Sequence, residues 1–125
     1  MVRKPSPAVF LSGELEDFLK EIDPTHKFHK WVKDMKSVLK ENMLAGECIK
    51  KKQIPRHYVT GYGVNNLYRY DHPEGYRSCY TLTERDDMGV CPTILDLKTH
   101  DEYGEVFGYR TRRAIIQTYI SYKHI

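Results

Sequence analysis

No apolar run in this sequence approaches the roughly 20 residues that a membrane-spanning helix needs, so a helical membrane protein is not expected. The basic residues near the start, within Met1 to Pro7, are not followed by the apolar stretch of a secretory leader. Cysteine is scarce. Cys48, Cys79 and Cys91 form no CxxC pair and leave one over, which argues against a disulfide framework or a four-cysteine zinc site. Buried free thiols in a reducing, cytoplasmic compartment are the expectation. Repeats, low-complexity tracts and internal linkers are missing as well. What remains is 125 residues, 40% hydrophobic and 30% charged, which suits one folded domain with a real core.

Tryptophan and phenylalanine are few, one and four, but tyrosine is abundant at ten. Tyrosines suit half-buried strands, interfaces and base-stacking surfaces alike. The net charge is only +3, yet residues 26–56 alone carry +6 and the rest of the chain −3. A basic face of this kind suggests a polyanion or an acidic protein as partner, and a solvated helix face is the plainer alternative.

The apolar spacing orders the elements. Residues 1–7 read as a flexible tail and Ala8–Leu11 as a short strand. Ser12 can cap a helix that carries Leu15, Phe18, Leu19 and Ile22 on one side. Asp23-Pro24 reads as the N-cap and first position of a second helix. That helix repeats Phe28, Trp31, Val32, Met35, Val38, Leu39 and Met43 at helical spacing, with Gly46 as its stop. Its other face holds Lys27, His29, Lys30, Lys33, Lys36 and Lys40, and Lys50, Lys51, Lys52 and Arg56 extend the charge. Residues 47–65 read as loop. Leu67–Asp71, Tyr76–Thr83 and Val90–Leu97 read as strands of a meander, with a first turn at His72-Pro73-Glu74-Gly75. Thr99 can cap a last helix reaching about Val106. The expected class is α+β, with two N-terminal helices packed on one face of a small antiparallel sheet in the order β-α-α-β-β-β-α. On the second meander strand Arg77, Cys79 and Thr81 share the more polar side, which is expected to stay free of helices.

This order of elements resembles the RelE/ParE superfamily of toxins from toxin–antitoxin pairs. Asn66-Leu67-Tyr68-Arg69, Gly75-Tyr76-Arg77 and Tyr80 look like that family's tyrosine-arginine strand pair. His100-Asp101-Glu102-Tyr103 and Phe107-Gly108-Tyr109 look like the ending of archaeal and plasmid-stabilisation-type members. The resemblance covers residues 8–109 as a RelE-like domain and leaves 110–125 as a C-terminal extension. It implies a ribosome-dependent mRNA endoribonuclease that needs no cofactor or metal and inhibits translation. Its partners would be a cognate antitoxin, the ribosome and mRNA, with homodimerisation left open. Two other readings stand beside it: a non-catalytic RNA- or protein-binding module on the same scaffold, and a ParE-type gyrase inhibitor.

Metal-free RNA cleavage needs a base for the 2′-hydroxyl, an acid for the leaving 5′-oxygen, and cations on the charge that develops at phosphorus. Arg77 matches the family's strand arginine and is the candidate phosphate clamp, with Arg69 beside it. The ordinary alternative is an arginine paired with a surface carboxylate. His100 is the candidate acid or base, or simply a helix-start histidine. Tyr103 is a stacking or proton-donating candidate, or a core residue of the last helix. Asp71 departs from the family pattern by setting a carboxylate near the arginines. Lys30, Lys33, Lys36, Lys50, Lys51, Lys52 and Arg56 are the candidate RNA-binding cations. His26 and His29 stand one turn apart without a third metal ligand at sensible spacing, which favours a surface role for both.

Overall fold

A computed structural model describes residues 3–108. It is a mixed α+β domain, and among the described residues no helix is long and apolar enough to cross a membrane. The strands are β1 (Phe10–Leu11), β2 (Glu47–Cys48), β3 (Tyr68–Asp71), β4 (Arg77–Arg85) and β5 (Gly89–Ile94), and the helices α1 (Gly13–Glu21), α2 (Lys27–Glu41), α3 (Arg56–Tyr62) and α4 (His100–Phe107). The strands form one sheet in the order β1-β5-β4-β3-β2. β2 to β5 pair antiparallel, whereas β1 joins β5 in parallel. The sheet is therefore mixed rather than wholly antiparallel.

Local chemistry sets the helix ends. The Ser12 side chain accepts from the Leu15 amide at 3.1 Å and caps α1. α2 starts later than the Asp-Pro pair suggested. The Asp23 carboxylate takes the Thr25 amide and hydroxyl in a tight turn instead. His26 becomes the cap, its Nδ1 accepting from Phe28 at 3.1 Å. α2 also stops earlier, at Glu41, and Gly46 has a different use. A Cβ there would lie 2.6 Å from the Arg69 carbonyl oxygen and 2.7 Å from the Tyr80 ring. Glycine lets the chain pass under Tyr80, whose hydroxyl receives the Gly46 amide and donates to the Met43 carbonyl. The segment expected as a tail is tied to the end of α2. Ser6 donates to the Lys40 carbonyl at 2.8 Å, and Met43 to that of Lys4 at 2.7 Å.

Two apolar clusters lie on opposite sides of the sheet. Under α1 and α2, Val9, Leu15, Leu19, Val32, Met35 and Leu39 pack on Tyr80 and Ile94. On the other side, Tyr58, Val64 and Tyr103 pack on Leu67, Cys79 and Leu95. The side expected to stay open is thus covered by α3 and α4, and Cys79 and Thr81 are buried. α3 replaces part of the expected loop: Pro55 sits at its N-cap and Gly63, at φ +67°, ends it. Cys79 and Cys91 are buried free thiols, and Cys48 is an exposed one.

Candidate functional site

The pleat puts Glu47, Arg69, Asp71 and Arg77 on the α3/α4 side of the sheet. Glu47 is registered opposite Arg69, and Asp71 opposite Arg77. Directly opposed charges of unlike sign on neighbouring strands attract. Arg69 meets the Glu47 carboxylate at 2.6 Å and that of Asp71 at 3.2 Å, and Arg77 reaches Asp71 at 3.4 Å. Both arginine side chains are largely covered, at 23% and 22% exposure, whereas the two carboxylates are more than half exposed. Burial alone would lower the Arg69 pKa, but Asp71 and Glu47 outweigh it and hold the guanidinium charged. Its Nε is enclosed without an aligned hydrogen-bond acceptor.

α4 closes the site from below. The Arg77 guanidinium lies over the Tyr103 ring at 4.8 Å. Tyr103 is 1% exposed and stacks on Phe107 at 4.2 Å. After Asp71 and Glu47, Tyr103 also helps to keep the Arg69 guanidinium charged. Arg77 and Lys98 exchange two backbone hydrogen bonds of 2.7 Å, which pins the start of α4 beside β4. Thr99 and Glu102 then form a reciprocal capping box, and His100 is the first helical residue. His100 is exposed and faces the β3–β4 turn, since a Cβ on Gly75 would lie 3.8 Å from its own Cβ.

The four sequence candidates Arg69, Arg77, His100 and Tyr103 therefore share one corner of the sheet. Tyr103 is the core residue of α4 in that corner, a support under Arg77 rather than an open stacking surface. The cationic candidates divide. Lys50, Lys51 and Lys52 lie exposed in a short 3₁₀ turn just after β2, and Arg56 starts α3. Ile49 and Ile54 anchor that segment in the α3/α4 cluster, on the arginines' side. Lys30, Lys33 and Lys36 lie on α2 across the sheet, and Lys30 is paired with Asp34 at 2.8 Å.

Sequence reasoning missed Glu47, because a single acidic residue in an apparent loop carries no pairing signal. It missed Asp96 because that residue read as part of the Val90–Leu97 strand, whereas β5 ends at Ile94. Asp96 receives the Tyr58 hydroxyl at 2.6 Å and the Cys79 amide at 2.9 Å. Burial raises its pKa, opposed by Lys98 and by those donors. This side chain takes the place of a strand carbonyl, and β5 ends two residues earlier. Among the described residues no group of three or more His, Cys, Asp or Glu is arranged to hold a metal ion. No family model matches the chain, and no curated protein or solved structure matches it significantly.

Proposed function

We propose that the chain is a metal-independent endoribonuclease of the RelE type, with a RelE-like fold plan, acting on mRNA in the ribosome as the toxin of a toxin–antitoxin pair. The observation that carries this reading is the convergence of Arg69 and Arg77 with the start of α4 at one corner of the sheet. A phosphate entering there would take the place of Glu47 on Arg69 and bind forks that are already oriented beside Asp71. The 2′-oxygen would bond to phosphorus as the bond to the 5′-oxygen breaks, leaving a cyclic phosphate and a free 5′-hydroxyl. Asp71 stands where it could take the 2′-hydroxyl proton, and His100 where it could supply one to the leaving oxygen. Lys50, Lys51, Lys52 and Arg56 would hold the message and ribosomal RNA beside the corner.

One observation favours a second reading, a non-catalytic RNA- or protein-binding module. The arginines already have carboxylate partners, and such pairs are also ordinary structural features. Inducible expression of the wild type beside Arg77→Ala and His100→Ala, with mapping of mRNA 5′ ends, separates the readings. Growth arrest with new ends that vanish in Arg77→Ala supports the nuclease. Arrest with intact mRNA and broken DNA points to gyrase. No arrest from a folded protein supports the binding module.

A further inference from the structure

The two strands that carry the arginine corner are joined by a turn, His72 to Tyr76, which is held from the opposite side of the sheet. The pleat alternates along both strands. Asp71 and Arg77 point to the α3/α4 side, and their neighbours His72 and Ser78 to the α2 side. Asp71 opposite Arg77 is the last registered pair of β3 and β4. Beyond it the His72 amide donates to the Tyr76 carbonyl at 2.8 Å. The His72 ring then reaches back diagonally, and its Nε2 shares a hydrogen bond of 2.7 Å with Ser78 Oγ. Both residues are buried. The ring stacks on Trp31 at 6.1 Å and meets Tyr70 edge-on at 5.1 Å.

Filling this space needs no polar group, since an aliphatic side chain would pack between the same rings. The buried bond adds direction instead: in low-dielectric surroundings it fixes one diagonal distance between the two strands. The other ties on the turn are looser. Tyr76 rests on Phe28 and Trp31 through ring contacts at 5.2 Å, which set no single direction. Glu74, at φ +61°, is tied to Lys27 at 2.7 Å, but both side chains are half exposed and water screens the pair.

We propose that His72, acting through Ser78, sets where the Arg77 guanidinium stands against an incoming phosphate. It is a positioning residue, because its ring lies across the sheet from the corner and touches no reacting group. The proposal rests on the reading of Arg77 as the phosphate clamp. His72 and Ser78 are the chain neighbours of Asp71 and Arg77, so a bond between them on one face fixes the spacing of the charged pair on the other. Without it the two strand ends can shear, which moves Arg77 off Tyr103 and away from Asp71. A displacement of about 1 Å at such a clamp can cost up to about 100-fold in rate.

The test uses the full chain with Ser78→Ala, which deletes one buried oxygen and keeps the apolar packing, beside His72→Ala and His72→Gln. The Gln amide nitrogen can stand where Nε2 stood. The spectroscopic reading is the proton chemical shift of the Arg77 side chain, which the ring current of Tyr103 displaces upfield. Ser78→Ala and His72→Ala should return it toward the value of free arginine, and His72→Gln should restore it. Glu74→Gln, which loosens the same turn at its exposed tip, should leave it unchanged. Single-turnover cleavage of mRNA on ribosomes, corrected for the folded fraction, should slow about ten-fold in Ser78→Ala with ribosome affinity unchanged. Adding Ser78→Ala to Arg77→Ala should cost nothing more. A role confined to stability would lower the unfolding midpoint and leave the shift and the rate of the folded protein as they are; that result overturns the proposal. So does an Arg77 shift displaced equally in Glu74→Gln, or a rate loss that persists in full on the Arg77→Ala background. If the wild type cleaves no mRNA, the nuclease reading falls by itself, and the Arg77 shift still decides whether His72 positions this side chain.

Discussion

Arg77 lies over Tyr103, its Cζ 4.8 Å from the ring centre, while its Nε faces Asp71 at 3.4 Å. The same guanidinium is thus supported from the core side and held by a carboxylate from the solvent side. Arg77→Ala removes both contacts from a side chain that is still partly exposed. The expected cost is under about 1 kcal/mol of folding stability, against a loss of about 100-fold or more in mRNA cleavage. Denaturant unfolding beside a primer-extension assay reads both, and full cleavage by this variant would remove Arg77 from the site.

Asp71 holds both arginines at once. Asp71→Asn should therefore free cationic charge and raise affinity for single-stranded RNA. The plot of log affinity against log salt should steepen by about one. If Asp71 also takes the 2′-hydroxyl proton, cleavage falls while binding rises, and a binding isotherm with a single-turnover rate separates the two effects.

Gly46→Ala places a methyl group 2.6 Å from a backbone oxygen and against the buried Tyr80 ring. Neither neighbour is a flexible chain end. The expected loss is about 1–3 kcal/mol, seen as a lower urea midpoint with an unchanged slope.

His72 gives the fold a pH dependence. It is buried, bonded to Ser78 Oγ at 2.7 Å and stacked on Trp31. Burial lowers its pKa to about 4, against a small opposing pull from Asp71. The unfolded chain then binds more protons than the folded one between about pH 6.5 and 4. Stability from this residue is complete above pH 6.5 and falls as pH drops through 4, by up to about 3 kcal/mol. Urea unfolding of wild type and His72→Gln across that window should show a steeper pH slope in the wild type; parallel curves would assign the slope elsewhere.

Tyr58→Phe removes the hydroxyl that Asp96 receives at 2.6 Å, in a fully buried position. The loss should be about 1–3 kcal/mol, and the Asp96 pKa should rise further, because that hydrogen bond lowers it. Thermal unfolding measures the first effect and a carboxyl NMR titration the second.

The elements that were legible from sequence are those whose periodicity survives packing on one side. α2 shows this best, with Trp31, Val32, Met35 and Leu39 buried at helical spacing. α4 announced itself through Thr99, which does cap it. α3 stayed hidden because Tyr58 is its one fully packed residue, and Thr60, Gly61 and Val59 are poor helix formers. β1 was legible as a short strand within Ala8–Leu11, but its parallel pairing was not, since its partner lies far along the chain. Cys79 and Thr81 looked like an open face because small residues read as polar when the helix above them is unseen. The corner of the site was foreshadowed in Arg69, Arg77, His100 and Tyr103. Its charge balance depends on a register between β2 and β3 that residue types alone do not specify.

The β1–β5 pairing also orders events in time. Phe10 and Leu11 meet Thr93 and Ile94, and Ser12 donates to the Leu95 carbonyl across 83 residues of chain. During synthesis the α1/α2 hairpin emerges with its apolar face uncovered, and the sheet it needs is completed only when β5 appears. Such distant closure slows folding and exposes early segments to wrong partners. A nascent chain stalled before residue 94 should therefore be the species most dependent on chaperones.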